Sequence, residues 1–263
     1  MRVLVTGGAG FIGSHIVERF VSKGDDVLVV DDLSTGSYDN LEEGIDLVEI
    51  DIANPSLAQV VNKFRPSIVC HLAAQSSVSA STAEPEIDAQ TNIMGGLNLL
   101  KCVANGSVSQ FIYITTGGAL YGEPDYIPSD EDHPIRPSSQ YGLSKWAFEQ
   151  YLKIGDRSGM SLKVLRLANV YGPRQDPFGE AGVVSIFASR MLKDQPVTIF
   201  GNGEQLRDFV YVEDVVDANE RAIGVRDPLT VNVSSGRGIS INELFGDLAL
   251  QTGYKRSPTN GPR

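Results

Sequence analysis

Short apolar runs alternate with stretches of helical spacing over the first two thirds of the chain. Apolar runs indicate strands buried in a sheet, whereas apolar residues that recur every three or four positions indicate helices. Alternation of the two predicts an α/β fold with a parallel sheet covered on both faces. We predict strands at Arg2–Thr6, Val27–Asp31, Leu47–Ile50, Ser67–His71, Gln110–Thr115 and Leu162–Leu167, and helices at Phe11–Lys23, Pro55–Phe64 (with Asn54 as N-cap), Pro85–Ala104 and Ser139–Ser158.

The pattern changes after Asn169, where glycine, proline and short segments replace the regular alternation. This change predicts a smaller and discontinuous second lobe. Its expected helices are Val183–Lys193, Glu213–Ile223 and Ile241–Gln251, and its expected strands are Val197–Phe200 and Asp208–Val212.

Composition narrows the class of protein. The 263 residues carry a formal charge of −11, which disfavours binding to nucleic acid or to an anionic membrane. No apolar run approaches the roughly 18 residues of a membrane helix, and no leader pattern is present at the first residues. Cys70 and Cys102 are too few for a disulfide framework. We therefore expect a soluble cytoplasmic protein without a metal site.

A glycine-rich loop, Thr6–Gly13, lies between the first predicted strand and the first predicted helix. A dinucleotide needs this context: Gly7 permits a tight turn, Gly10 allows close approach of the phosphates, and Gly13 allows helix and strand to pack closely. An ordinary strand-to-helix turn is the alternative. The sequence therefore predicts a Rossmann-type doubly wound sheet.

Two carboxylates follow the second predicted strand, about 20 residues beyond the loop. Asp31 can accept a hydrogen bond from a ribose hydroxyl, and Asp32 follows it directly. Paired carboxylates disfavour a 2′-phosphate, so the pattern predicts NAD rather than NADP. The alternative for Asp31 is a helix or turn cap.

Tyr141 and Lys145 lie four residues apart at the start of a predicted helix, and therefore on one face. A phenol with a pKa of about 10 is a poor base at neutral pH. We expect the Lys145 ammonium to lower the pKa of Tyr141, so that the phenol can exchange a proton with a substrate hydroxyl. The alternative is a packed tyrosine beside a solvated lysine.

Together these stretches resemble the extended short-chain dehydrogenase/reductase family, in its branch of UDP-glucose 4-epimerases. The resemblance covers nearly the whole chain. It rests on Val5–His15, Asp31–Thr35, Asp51–Ile52, His71–Ala74, Tyr121–Glu123, Tyr141–Lys145, Asn169–Arg174 and Arg207–Asp214.

The resemblance implies two sets of binding residues. Asp51 and Ile52 would flank the adenine. Leu72, Ala73 and Ala74 would line the path of the pyrophosphate and ribose, and Asn92 would border the nicotinamide. The implied cofactor set is Gly7, Gly10, Phe11, Ile12, Gly13, Asp31, Asp32, Asp51, Ile52, Leu72, Ala73, Ala74, Asn92, Tyr141 and Lys145. The implied substrate set is Thr116, Tyr141, Asn169, Val183, Phe200, Arg207 and Arg263.

Within the substrate set, Asn169, Arg207 and Arg263 would contact the diphosphate, while Val183 and Phe200 would border the uracil. Bidentate binding of phosphate suits an arginine. The alternative for Arg207 is a surface ion pair with Asp208 or Glu204.

One position departs from the family pattern. The hydroxyl residue expected four positions before Tyr121 is Gly117, and Thr116 and Thr115 precede it. We assign the role to Thr116 (Thr115 being the alternative), which requires the backbone to bend there, because neighbouring strand residues point to opposite faces. Related dehydratases and decarboxylases carry acids where this chain has Gly118 and Ala119, so the resemblance implies reversible oxidation at C4.

The expected reaction is epimerisation of a UDP-hexose at C4 through a transient 4-keto sugar, with UDP-glucose and UDP-galactose as the first candidates. Alternatives are UDP-N-acetylglucosamine or UDP-glucuronate as substrate, a reductase or dehydrogenase using NAD(P), and a regulator without catalysis. The family commonly forms homodimers through a four-helix bundle, here from Pro85–Ala104 and Ser139–Ser158.

The resemblance also implies a division of the chain. Residues 1–168 would form the NAD-binding domain, to which a segment near 204–232 returns. Residues 169–263 would form most of the substrate-binding lobe, and the family continues beyond the position of Arg263.

Overall fold

A seven-stranded parallel sheet forms the centre of the chain, with the strand order β10-β6-β5-β4-β1-β2-β3. The computed structural model describes residues 1–104, 108–155, 159–178 and 182–262. The strands are β1 (Arg2–Thr6), β2 (Asp26–Asp31), β3 (Asp46–Glu49), β4 (Ile68–His71), β5 (Gln110–Thr116), β6 (Ser161–Leu167) and β10 (Leu229–Val233). This sheet confirms the predicted Rossmann-type α/β fold.

Helices cover both faces of the sheet because each carries one apolar stripe. On one face, α1 (Phe11–Ser22) and α9 (Val212–Gly224) bury Ile16, Phe20 and Val215 against β1, β4 and β5. On the other face lie α2 (Leu57–Phe64), α5 (Gly96–Val103) and α7 (Gln140–Gly155), whose core residues include Leu57, Leu99 and Phe148. Each face therefore has its own apolar core.

A smaller unit follows the sixth strand. Its first sheet joins β7 (Asn169–Tyr171), β9 (Leu206–Tyr211) and β11 (Gly238–Ser240), and its second joins β8 (Thr198–Phe200) and β12 (Thr259–Gly261). Helices α8 (Val183–Leu192) and α10 (Ile241–Thr252) pack on each other around Phe187, Ile241 and Leu244. The chain returns to the central sheet between these strands, with α9 and β10.

Several predicted elements differ from the observed ones. The helix predicted over Pro85–Ala104 consists of α4 (Pro85–Ala89), a π-helical turn (Gln90–Gly95) and α5, and the short helix α3 (Val78–Ala83) precedes it. Ser56, not Asn54, is the N-cap residue of α2, because the helix begins at Leu57, two residues later than predicted. The Asn54 side chain accepts a hydrogen bond from the Ser56 amide in the turn before the helix. Strand β10 had no predicted counterpart.

The remaining short helix, α6 (Gly118–Tyr121), follows β5 directly. The predicted helix Ser139–Ser158 corresponds to α7, and its last three residues lie outside the described residues. In the described ranges, no helix is long and apolar enough to cross a membrane.

Substituting Gly13 by alanine should disrupt the loop between β1 and α1. An added Cβ would lie 2.1 Å from the carbonyl oxygen of Gly7, which is backbone and cannot move aside without displacing the loop. We expect a loss of several kcal/mol of stability, as for overpacked sites, together with at least tenfold weaker NAD binding. Thermal unfolding and calorimetric titration with NAD measure both effects.

Gly246 in α10 provides the matched control. A Cβ there meets nothing within 4 Å, so Gly246→Ala should stabilise the helix by about 0.5–1 kcal/mol. Equal behaviour of the two variants would contradict the packing argument for Gly13.

Candidate active site

The candidate site lies at the carboxyl edge of the central sheet. Strands β5, β4, β1 and β2 are adjacent and parallel, so their ends at Thr116, His71, Thr6 and Asp31 meet at one edge. Ligands of open α/β sheets bind at this edge. The glycine loop, the loop after β4 and the first turn of α7 converge there.

The glycine loop is closely packed against the loop that follows β4. Leu72 and Ala73 both donate their backbone N–H groups to the Thr6 carbonyl, each at 3.0 Å. Gly7 has a φ of +70°, and an added Cβ there would lie 2.6 Å from the Ala73 nitrogen. Glycine is therefore required both for the conformation and for the close approach.

The N-terminus of α1 presents bare backbone donors. Gly10 is the N-cap residue, no side chain caps the helix, and its first turn contains no acidic residue. The first N–H groups of a helix, here those of Phe11, Ile12 and Gly13, have no partner within the helix. With the helix dipole they form a site for an anion such as a pyrophosphate.

Asp31 is buried beside this loop. Its carboxylate accepts hydrogen bonds from the Ala9 and Leu33 amides, both at 2.9 Å. Burial raises the pKa of Asp31, and these two hydrogen bonds oppose the rise. A carboxylate has further lone pairs, so Asp31 serves as a turn cap and can still accept from a ribose hydroxyl. Asp32 is exposed and accepts from Ser34.

The residues implied for the adenine also follow a strand end. Asp51 is exposed, and its side chain accepts a hydrogen bond from the Ala53 amide at 2.7 Å. Ile52 is buried against Gly95, where an added Cβ would lie 2.8 Å from the isoleucine side chain. Ile52 is therefore part of the apolar core, and the neighbouring Asp51 is exposed to solvent.

Lys145 is held inside the domain rather than solvated. Its side chain is 3% exposed, and Nζ donates a hydrogen bond to the Ile114 carbonyl at 3.2 Å. The same nitrogen lies 4.6 Å from the centre of the Tyr113 ring. The alternative of a solvated lysine is therefore wrong. Tyr141 starts the same helix, and its backbone N–H donates to the Ser81 hydroxyl.

The protonation of this pair differs from the sequence-based expectation. Burial raises the pKa of Tyr141 to about 12, and the negative charge of Asp88 acts in the same direction. Burial lowers the pKa of Lys145 to about 7, while Asp88 opposes that shift. The expected lowering of the Tyr141 pKa by Lys145 was wrong for this arrangement, because desolvation dominates both groups and the ammonium is turned toward Ile114.

A buried polar network supports the pair. The Asn92 amide nitrogen, which carries two hydrogens, lies within hydrogen-bond distance of three acceptors: Asp88 at 2.9 Å, the Gln75 carbonyl at 3.0 Å and the Ser144 hydroxyl at 3.1 Å. Ser144 in turn donates to the Tyr141 carbonyl at 3.0 Å. Only Asn92 was predicted. The one available signal for Asp88 was its position four residues before Asn92, on the same helix face.

Thr116 ends β5, and the chain bends at the following glycines. Gly117 has helical dihedral angles and donates to the Leu167 carbonyl at 2.7 Å, after which α6 begins. The Thr116 hydroxyl accepts from the Ala119 amide at 3.2 Å and keeps its own hydrogen for donation. Thr116 is partly exposed, whereas Thr115 is buried, so the geometry favours Thr116.

The residues implied for the substrate lie on the smaller unit. Asn169 donates to the Asp208 carbonyl at 3.0 Å, and Phe209 is its partner in the β7–β9 register. Arg207 is exposed two residues before Phe209 and donates to the Leu206 carbonyl. The alternative ion pairs do not form among the described residues, since Asp208 accepts from Ser235 and Gly236 and Glu204 from Asn242.

Two further residues of the implied substrate set lie on the smaller unit. Val183 begins α8, and Phe200 ends β8 with 63% of its surface exposed. Arg263 lies outside the described residues.

A buried ion pair anchors α7 to the sheet. Glu149 of α7 accepts from Arg166 of β6 at 2.6 and 3.2 Å and from Lys153 at 2.7 Å. Burial alone would raise the pKa of Glu149, but the hydrogen bonds from Arg166 and Lys153 outweigh it and lower the pKa. Arg166 also donates to the Tyr121 hydroxyl at 3.0 Å.

The family comparison agrees with this geometry. The chain belongs to the NAD dependent epimerase/dehydratase family, whose model matches residues 3–234. The resemblance predicted from the motifs is thereby confirmed.

Individual relatives show which members of this family the chain is similar to. The UDP-glucose 4-epimerase of Thermotoga maritima, solved with UDP-glucose, is 47% identical, with a TM-score of 0.97 over all of this chain and 86% of its own. The Thermus thermophilus UDP-glucose 4-epimerase, solved with NAD, is 43% identical, with a TM-score of 0.93 over the same shares. A Mycolicibacterium smegmatis UDP-glucose 4-epimerase is 39% identical over all of this chain and 86% of its length.

Replacing Glu149 by glutamine should strongly destabilise the chain, because it leaves Arg166 buried without its counter-charge. Breaking a buried pair costs about 3–5 kcal/mol. The pKa of Glu149 is lowered by folding, so its contribution is present near neutral pH and is lost as the pH falls through the acid range. Thermal unfolding at several pH values measures this.

The control removes an exposed charge pair. Asp194→Asn breaks the Asp194–Arg256 contact at the surface, and exposed pairs contribute little. An Asp194→Asn variant as destabilised as Glu149→Gln would contradict the special role of the buried pair.

Proposed function

We propose that this chain is a UDP-hexose 4-epimerase that uses NAD, with UDP-glucose and UDP-galactose as its substrates. The observation that carries the proposal is the placement of Tyr141 and the buried Lys145 at the same sheet edge as the bare N-terminus of α1. Relatives solved with UDP-glucose and with NAD support the same conclusion.

The cofactor residues fit NAD. Gly7 and Gly13 allow the loop to pack closely, and Gly10 leaves the start of α1 without a side chain. The carboxylates of Asp31 and Asp32 favour a free ribose hydroxyl over a 2′-phosphate. The remaining contacts are assigned to Phe11, Ile12, Asp51, Ile52, Leu72, Ala73, Ala74, Asn92, Tyr141 and Lys145. When bound, the nicotinamide supplies a reversible hydride acceptor at the sugar C4.

Tyr141 carries the proton chemistry. Its phenolic oxygen takes the proton from the sugar O4 and returns it after the 4-keto sugar has turned. A pKa of about 12 makes the phenolate a strong base once formed. Positive charge close to the phenol favours that form. In the proposed reaction Lys145 supplies it by turning its ammonium from the Ile114 carbonyl toward the phenol. Thr116 donates its free hydroxyl hydrogen to the sugar O4.

The substrate contacts lie on the smaller unit. Arg207 and Asn169 are assigned to the diphosphate, with Arg263 as a third contact, and Val183 and Phe200 to the uracil. Cofactor binding is assigned to residues 1–168 with a returning segment near 204–232, and substrate binding mainly to 169–263. The Gly118 and Ala119 positions offer no carboxylate for dehydration or decarboxylation.

Replacing Tyr141 by phenylalanine should abolish interconversion of UDP-glucose and UDP-galactose. Loss of a general base lowers kcat by about 10²–10⁴-fold, while folding stays unchanged. Tyr151→Phe, ten residues later on the same helix and half exposed, is the control and should retain full activity. The assay follows both UDP-hexoses by chromatography.

A panel of UDP-sugars decides between the substrates. Interconversion only of the N-acetylhexosamine or uronate pair would reassign the substrate. Stoichiometric consumption of NAD(P)H would indicate a reductase, and full activity of Tyr141→Phe would contradict the catalytic role.

We also propose that the protein forms a homodimer and that it is located in the cytoplasm. Leu143, Tyr151 and Ile154 of α7 are exposed on one side of the helix, and Ile87 and Met94 are exposed on the neighbouring α4–α5 segment. Exposed apolar side chains on two adjacent helices suit a four-helix bundle with a second copy.

Ile154→Lys should weaken the dimer, because it places a charge at a residue that is 81% exposed in the single chain and would be covered in the dimer. Light scattering coupled to size-exclusion chromatography should report a shift toward monomer. Leu250→Lys, on a similarly exposed residue of α10, should leave the mass unchanged. A wild-type chain that is monomeric at micromolar concentration would contradict the proposal.

A further inference from the structure

Asp88 is a carboxylate buried behind the proposed catalytic pair. It lies on α4 and is 1% exposed. Its Oδ1 atom accepts hydrogen bonds from the amides of Asn92 at 2.9 Å and Gln75 at 3.4 Å. Such burial of a carboxylate is costly unless its charge is compensated, so its position requires an explanation.

The hydrogen bonds connect Asp88 to the first turn of α7. Asn92 donates both to Asp88 and to the Ser144 hydroxyl, and Ser144 donates to the Tyr141 carbonyl. A displacement of Asp88 would therefore reach the backbone of Tyr141 through only two side chains.

Among the described residues, Asp88 is also the carboxylate that acts electrostatically on both Tyr141 and Lys145, and it forms no salt bridge there. On β4, the pKa of His71 is lowered to about 3 by burial and by the Lys145 charge, which leaves it neutral. On β5, burial raises the pKa of Tyr113 well above its ordinary value. On α7, Glu149 is paired with Lys153 and with Arg166 of β6.

We propose that Asp88 is a positioning residue for the reaction: its carboxylate holds the Asn92–Ser144 bridge beneath Tyr141 and supplies a negative charge that favours the ammonium form of Lys145. The inference rests on the proposed function, since it takes Tyr141 as the proton-exchanging group. Asp88 favours the charged form of Lys145 and disfavours the charged form of Tyr141, which makes the Tyr141 phenolate a stronger base.

The charge has a predictable sign. A carboxylate favours the ammonium and disfavours the phenolate, so it raises the pKa of both Lys145 and Tyr141. Burial raises the pKa of Asp88 itself, but the Lys145 charge and the hydrogen bond from the Asn92 amide oppose that rise. Removing the carboxylate should therefore lower both pKa values together.

The experiment compares Asp88→Asn with the full chain by two measurements. Ultraviolet titration of tyrosinate, with Tyr141→Phe as the reference spectrum, should place the Tyr141 pKa about one unit lower in Asp88→Asn. Both limbs of the profile of kcat/KM against pH should move in the same direction by a similar amount. A lower kcat with both limbs and the tyrosinate titration unmoved would overturn the proposal.

Two further variants separate charge from shape. Glu86→Gln removes an exposed charge from the same short helix and should change nothing. Asp88→Glu keeps the charge and should keep the wild-type titration, although kcat falls because the Asn92–Ser144 bridge is displaced. A titration shift in Asp88→Glu equal to that in Asp88→Asn would overturn the electrostatic role.

Folding is checked by circular dichroism before each titration. If Asp88→Asn is unfolded, Asp88→Ser takes its place, and unfolding of both neutral variants beside a folded Asp88→Glu would overturn a role in the reaction. The tyrosinate titration needs no turnover. A wild-type chain without epimerase activity but with the expected titration shift would refute the proposed function and support Asp88 as the controlling charge.

Discussion

The burial of the Lys145 amine is the interaction on which the rest of the site depends. A lysine inside a domain loses its hydration and tends to lose its proton. Here the Ile114 carbonyl, the Tyr113 ring and the nearby Asp88 carboxylate offset that loss. These groups depend on the placement of two elements: β5 beneath α7 carries Ile114 and Tyr113, and α4 beside α7 carries Asp88. The Glu149–Arg166 pair then fixes the helix that carries both Lys145 and Tyr141.

The features predictable from sequence are those that local chemistry specifies. The Gly7–Gly13 loop lies between a buried strand and a helix, as predicted. Glycine is required at Gly7 and Gly13 because a Cβ there would collide with backbone. The apolar runs of β1, β2, β4, β5 and β6 predicted the sheet since strands buried on both faces leave no polar alternation. The bend predicted at the glycines after Thr116 is present at Gly117, where the chain leaves β5 and enters α6.

The features that escaped prediction depend on contacts between distant segments. The π-helical turn at Gln90–Gly95 lies in a continuous helical pattern, and the polar network of Gln75, Asp88, Asn92 and Ser144 joins three elements. The pKa of Tyr141 was expected to fall because the spacing to Lys145 implies proximity. Spacing contains no information about burial or about Asp88, and these two factors decide the direction of the shift.

The most direct test of the central claim follows the hydrogen at C4. UDP-glucose that carries deuterium at C4 is incubated with the chain and NAD until the two UDP-hexoses reach equilibrium. The account predicts that UDP-galactose retains the deuterium at C4, with no net formation of NADH, because the hydride leaves and returns within one closed site. Loss of the label to solvent, or its accumulation in free reduced nicotinamide, would contradict it.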